Sequence, residues 1–354
     1  MKLKKMVALL LALLLAMSLL TACGKTDNTK SDGDGKVTVN ENGEWMPSGS
    51  VTLLVGWDAG GGLDTLARAL APALGEYLGV DVVVNNMPGA NGAVAVEYLL
   101  KKPADGQMVF LYSSSHAAYP ATGVSDATYE QLQMLQICQG AYPTLSVPAS
   151  SDIKDMNDLI AAIKAGGTVA ANAGIGSIWH VPQIVIVNGV GGSCNYAPYD
   201  SGKSTALAIA QGEVDWGVSD LKECAEFAKD GMIRPLAVCG SEAVELDGYG
   251  TIPAVTDYLP ELADVLEAAV NYRGIGIKRG ADQAVLDTWY KALAYAMESQ
   301  EFLDVCESTN TPILNIGGEA ADEMSILATK TISWMVYDAG AGARSPEEVG
   351  VPRP

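Results

Sequence analysis

Three consecutive glycines, Gly60, Gly61 and Gly62, lie between an apolar run, Val51 to Val55, and a stretch in which Leu63, Leu66, Ala67, Leu70 and Leu74 recur at helical spacing. A residue without Cβ lets the backbone take positive φ and lets a ligand approach its N–H groups. Where such a loop opens a helix, free amides and the positive end of the helix dipole coincide. That combination holds a negatively charged oxygen without needing lysine or arginine. The pattern is neither the dinucleotide fingerprint nor a phosphate loop, since no Lys-Ser or Lys-Thr pair follows the glycines. On this reading the amides of Gly60 and Gly61 matter more than any cationic side chain.

Further polar residues stand at the ends of apolar runs. Ser113, Ser114 and Ser115 close the run Met108 to Tyr112, and NAGIGS, Asn172 to Ser177, precedes a helical stretch carrying His180. The serines read as hydrogen-bond donors to a ligand. A hydrolase would use one of them with a histidine base, but no G-x-S-x-G surrounds them. Several residues read two ways. Ser177 is a ligand contact or a helix cap, and His180 a ligand contact or a loop support. Asp64 is a helix-start acid or a contact, and Tyr199 a lid or a core or hinge aromatic. Asp220 repels a carboxylate unless it holds a water, a loop amide or a ligand amino group. Arg273 is an acid's structural partner or a ligand contact. With His116 and His180 the only imidazoles, and neither HExxH nor CxxC present, no catalytic metal or cofactor is expected.

Strands must position these loops. Val51–Val55, Val80–Val84 and Met108–Tyr112 alternate with helical stretches, and the pattern restarts after Pro148 with Thr168–Ala171, Cys194–Pro198 and Val214–Val218. Strands alternating with helices predict an α/β fold whose ligand crevice lies at the carboxyl ends of parallel strands. The two long helical patterns after residue 280 have no sheet of their own. They predict a chain that returns to its first half: one lobe from 51–146 and 272–354, the other from 147–271, joined by strands crossing near Ser146 and Tyr272.

The beginning of the chain gives an address. Lys2, Lys4 and Lys5 precede an apolar run from Met6 to Leu20, a signal peptide over 1–22 that is short for a membrane span. Leu20-Thr21-Ala22-Cys23 resembles the lipobox of bacterial lipoproteins, which implies lipid on Cys23. The polar stretch 23–50 predicts a flexible tether. The location expected is extracytoplasmic, at the cell membrane. A formal charge of −20 excludes nucleic acid as a natural partner. The five further cysteines, with no paired spacing, suggest no disulfide framework.

Six ordered motifs, VGWDAGGGLDTLAR, VVVNNMPGANG, PADGQMVFLYSSS, ANAGIGSIWH, APYDSGKSTALAIAQGEVDWGVSD and IRPLAVCG, resemble the solute-binding proteins of tripartite tricarboxylate transporters. The resemblance implies a two-lobed, periplasmic-binding-protein-like (Venus flytrap) fold, each lobe a mainly parallel sheet flanked by helices. It also implies a monomer that captures a small carboxylate and delivers it to multi-span membrane permease subunits, without catalysis. A solute-sensing lipoprotein is the alternative. The family's ligand loops fall on Trp57, Ala59, Gly60, Gly61, Leu63 and Asp64, and on Gly176, Ser177 and His180.

Overall fold

The computed structural model describes residues 38–354 apart from 241, 264–265, 267–271 and 310. The signal segment 1–22, Cys23 and most of the tether lie outside the described residues. In the first sheet, Val51–Val55 (β1), Val82–Asn86 (β2) and Met108–Ser113 (β3) are joined by the helices Gly62–Leu78 (α1) and Ala93–Leu100 (α2). β1 pairs in parallel with both neighbours. Four of its five side chains are fully buried, as a strand covered on both faces requires.

The chain then runs through Leu132–Gly140 (β4) and crosses at Ala141–Tyr142 into Pro143–Pro148 (β5) of the second sheet. That half continues as Met156–Ala165 (α3), Thr168–Asn172 (β6), His180–Gly189 (α4), Cys194–Pro198 (β7), Gly202–Gln211 (α5), Trp216–Asp220 (β8), Leu221–Lys229 (α6) and Ile233–Val238 (β9). A small hairpin, Val244–Leu246 (β10) and Gly250–Ile252 (β11), follows. Tyr272–Lys278 (β12) then returns to the first sheet, where Gln283–Met297 (α7), Gln300–Ser308 (α8), Ile313–Gly317 (β13) and Gly318–Asp338 (α9) complete the fold. The sheet orders are β13-β4-β12-β3-β1-β2 and β7-β6-β8-β5-β9.

Three details differ from the sequence-based expectation. β5 lies wholly in the second sheet, so the first crossing precedes Pro143 rather than falling near Ser146. The sheets are mixed, parallel only within β2-β1-β3 and β7-β6-β8. β12 begins beside the end of β3, with Arg273 opposite Ser113, and β5 begins beside the end of β8, with Pro143 opposite Asp220. A strand that starts where its neighbour ends must run antiparallel to it, and these crossing strands do. Finally, Trp45 is only 4% exposed. It stacks on Trp289, and its N–H donates to Thr288 Oγ1 at 3.0 Å. The stretch predicted as a tether through Ser50 is therefore docked on the body from Val39, which forms a bridge to Trp45.

Helix α9 packs into both halves. Ile332 and Val336 share one core with Val181 and Ile184 of α4 and with Phe110 and Ile137 of the first sheet.

Candidate functional site

The loops at the carboxyl ends of β1, β3, β6 and β7 meet around a cavity of about 450 Å³. Trp57, Ala59, Gly60, Gly61, Gly62 and Leu63 form one wall; Ser113, Ser115, Ser177, Ile178 and Trp179 form another; Arg273 and Glu223 line it from the start of β12 and from α6.

The glycine loop is held from behind. Gly60 takes φ +81° and donates its N–H to Asp64 Oδ2 at 2.8 Å, while Gly61 donates to the Asp58 carbonyl at 3.3 Å. The two amides expected to seat an anion are thus turned inward. The next two, of Gly62 and Leu63, open α1, where no intrahelical acceptor exists, and no acceptor among the described residues takes them. Asp64 is a brace: it also accepts from Arg68 Nε at 2.9 Å and Asn86 Nδ2 at 3.0 Å. Burial pushes its carboxyl pKa up, but Arg68, the Gly60 amide and Asn86 outweigh burial and hold it below the usual range. Asn86 also donates to the Trp57 carbonyl at 3.0 Å, so the end of β2 fixes the loop after β1.

The serines divide. Ser113 Oγ donates to Ser115 Oγ at 3.2 Å, and Ser115 Oγ accepts the Ile178 N–H at 3.2 Å, joining the two halves across the cavity. Ser114 faces away and accepts the Tyr272 N–H at 3.4 Å. His116 places Nδ1 2.7 Å from the Ser113 carbonyl oxygen rather than against a serine hydroxyl, and burial lowers its pKa to about 4. A Ser-His nucleophile pair is absent among the described residues.

In the second half, Ser177 lines the cavity while its Oγ accepts the His180 N–H at 3.2 Å, which ties the turn before α4 to the start of that helix. His180 supports the loop: Nδ1 accepts the Gly176 N–H at 2.9 Å, the ring stands edge-on to Tyr196, and burial lowers its pKa to about 4. Gly176, at φ +75°, is packed so closely that a Cβ would lie 2.6 Å from Thr122 Cγ2, so it serves contact between the halves rather than the cavity. Tyr199 is no lid. Its hydroxyl donates to Glu213 at 3.1 Å and its N–H to the Asn172 carbonyl at 2.7 Å, away from the cavity.

The charges come from segments far apart in sequence. Arg273, 2% exposed, donates through one guanidinium nitrogen to Asp220 Oδ2 at 2.5 Å. Its other terminal nitrogen, Nη1, is buried without a partner. A Cβ on Gly62 would lie 3.1 Å from this Nη1 and 2.8 Å from Lys222 Nζ. Two cationic groups therefore crowd the first turn of α1, itself the positive end of a helix, and an anion there satisfies all three. Asp220 is the partner of Arg273, which answers how an acid is tolerated beside an anion seat.

Several lining residues went unnamed in the sequence reading although their signals were present. Asn91, in the PGANG loop, takes a left-handed conformation and leaves Oδ1 unpartnered. Ser201 caps α5, and Lys203 and Ser204 follow it into the wall. Glu223 stands three residues after Asp220, the spacing of a capping box, and its Oε2 accepts the Asp220 N–H at 3.2 Å.

A family model described as tripartite tricarboxylate transporter family receptor matches residues 66–320. A UPF0065 protein of Bordetella bronchiseptica is 27% identical over 220 residues, 61% of this chain; the match spans 65% of that relative's length. Among solved structures, MatC of Rhodopseudomonas palustris with bound malate superposes with a TM-score of 0.70 at 17% identity, covering 83% of this chain and all (100%) of that one. The R. palustris protein Rpa4515 with adipate gives 0.70 at 22% identity over 83% and 98%. The structural likenesses establish a common fold.

Proposed function

This chain belongs to the tripartite tricarboxylate transporter receptor family, and from that premise we propose that it captures a small carboxylate in the cavity between its two sheets and hands it to a multi-span membrane permease. The observation that carries the reading is the unpartnered Nη1 of Arg273, buried beside the free first-turn amides of α1. A buried donor without an acceptor costs about 1–3 kcal/mol, more when charged, and a ligand carboxylate relieves that cost. Malate and adipate in the two neighbours support the chemical class. The protein acts outside the cytoplasm as a monomer, held to the membrane by lipid on Cys23. No helix among the described residues is long and apolar enough to cross a membrane.

Native mass spectrometry of the protein purified from its host tests the reading. The expected result is a copurifying small acid released unchanged on denaturation. A bound solute without a carboxylate, or one converted during incubation, contradicts it.

A further inference from the structure

The two helix starts that line the cavity are surrounded by opposite charges. At α1 the neighbours are cationic, Arg273 and Lys222. At α5 the neighbour is a carboxyl group: a Cβ on Gly202 would fall on Glu223 Oε2 and within 2.9 Å of Oε1, so the Glu223 side chain lies directly on the first turn of that helix. The amides of Gly202 and Lys203 open α5 and find no main-chain acceptor among the described residues. The chain thus places its own carboxylate at the second positive helix end, where a dicarboxylate would bring its second charge. Away from the two helix starts Trp57, Ile178, Leu207 and Phe227 give the cavity a largely apolar lining, with Asn91, Ser113, Ser115 and Ser177 as its uncharged polar groups.

We propose that Glu223 makes this cavity select carboxylates that carry one anionic group on an apolar body, and reject dicarboxylates. The inference rests on the carboxylate-receptor reading and narrows it. A second ligand carboxylate would meet Glu223 inside a cavity of about 450 Å³, and like charges brought together away from water repel strongly. The other charged groups around Glu223 do not cancel this. Asp220 from the same turn adds negative charge and is paired with Arg273 from β12; Arg273 and Lys222 attract Glu223 but also face Gly62 at the other helix start; Lys203, in the cavity wall at the start of α5, is solvent-exposed, so its charge is screened. Burial, and then the Asp220 charge, push the Glu223 pKa up to about 7, against the pull of Arg273 and Lys222. Glu223 therefore takes up its proton at a higher pH than an ordinary carboxyl group, so the rejection of dicarboxylates should weaken as pH falls.

The test is calorimetric titration of the full chain with hexanoate and adipate, which share a six-carbon skeleton, and with butyrate and succinate, which share four carbons. Wild type and Glu223→Gln are compared at pH 8 and pH 6. In wild type at pH 8 each monocarboxylate should bind on the order of tenfold or more tighter than its dicarboxylate. The gap should narrow at pH 6, and in Glu223→Gln it should approach parity at both pH values. Should Glu223→Gln fail to fold, Glu223→Ala is compared with wild type at pH 8, where all four acids are fully ionised. Equal or tighter binding of the dicarboxylates by wild type at pH 8, or a gap indifferent to the substitution, overturns the proposal and leaves the receptor reading standing. Failure of all four acids to bind also overturns it, whereas the receptor reading falls if the copurified solute lacks a carboxylate or is converted during incubation.

Discussion

Arg273 does two jobs with one guanidinium. One nitrogen neutralises Asp220 and the other is left for a ligand, two directions that the rigid planar fork of a guanidinium fixes in advance. The predicted consequence is that Arg273→Gln weakens carboxylate binding by about 2–5 kcal/mol, the scale of truncating a buried charged partner. Because the substitution strands Asp220 as well, the cleaner variant pairs it with Asp220→Asn, and thermal melts establish that both fold. The glycines separate in the same assay. Gly61 has φ −78° and a Cβ there would meet only the Asp58 carbonyl, at 3.3 Å, so Gly61→Ala should shift affinity by no more than about 0.5 kcal/mol. A methyl at Gly62 would push against Arg273 and Lys222, and Gly62→Ala should cost about 1–3 kcal/mol of affinity. A harmful Gly61→Ala beside a harmless Arg273→Gln would return recognition to the loop amides.

At the level of elements, the sequence made the parallel parts of both sheets legible and the antiparallel parts obscure. β1, β3 and β6 are short apolar runs ending in glycine or serine, so both their burial and their functional ends can be read from local pattern. Arg273 and Glu223 cannot be placed that way. Arg273 stands at the start of a crossing strand and reaches the cavity only because β12 inserts antiparallel beside β3. Glu223 follows a strand end by three residues and depends on Gly202 of another helix for its position. Tyr199 misled for the complementary reason: it follows a strand end, yet its ring finds Glu213 outside the cavity. The docked segment Val39–Trp45 was hidden inside a polar stretch, since one tryptophan does not set a period. Its anchor is specific, with Gly106 leaving room for the indole, where a Cβ would approach within 2.9 Å. Trp45→Ala should therefore destabilise the fold by about 3–5 kcal/mol, read as a lowered midpoint in chemical denaturation, with carboxylate affinity unchanged. An unaltered midpoint would mean that the docking contributes nothing.

Across the whole molecule, recognition is shared between halves that the chain builds from interleaved segments. The first sheet supplies the α1 amides and Arg273, the second supplies Asp220, Glu223 and Ser177, and α9 and the Ser115–Ile178 hydrogen bond tie them together. A ligand seated at Arg273 consequently touches groups whose relative position depends on both halves, as capture by a two-part receptor requires. The most direct measurement is a crystal structure of the protein with its copurified acid bound. The account predicts a carboxylate oxygen about 2.8 Å from Arg273 Nη1, with a second contact to the amide of Gly62 or Leu63. A carboxylate seated elsewhere in the cavity, with Arg273 bonded to protein alone, would contradict it.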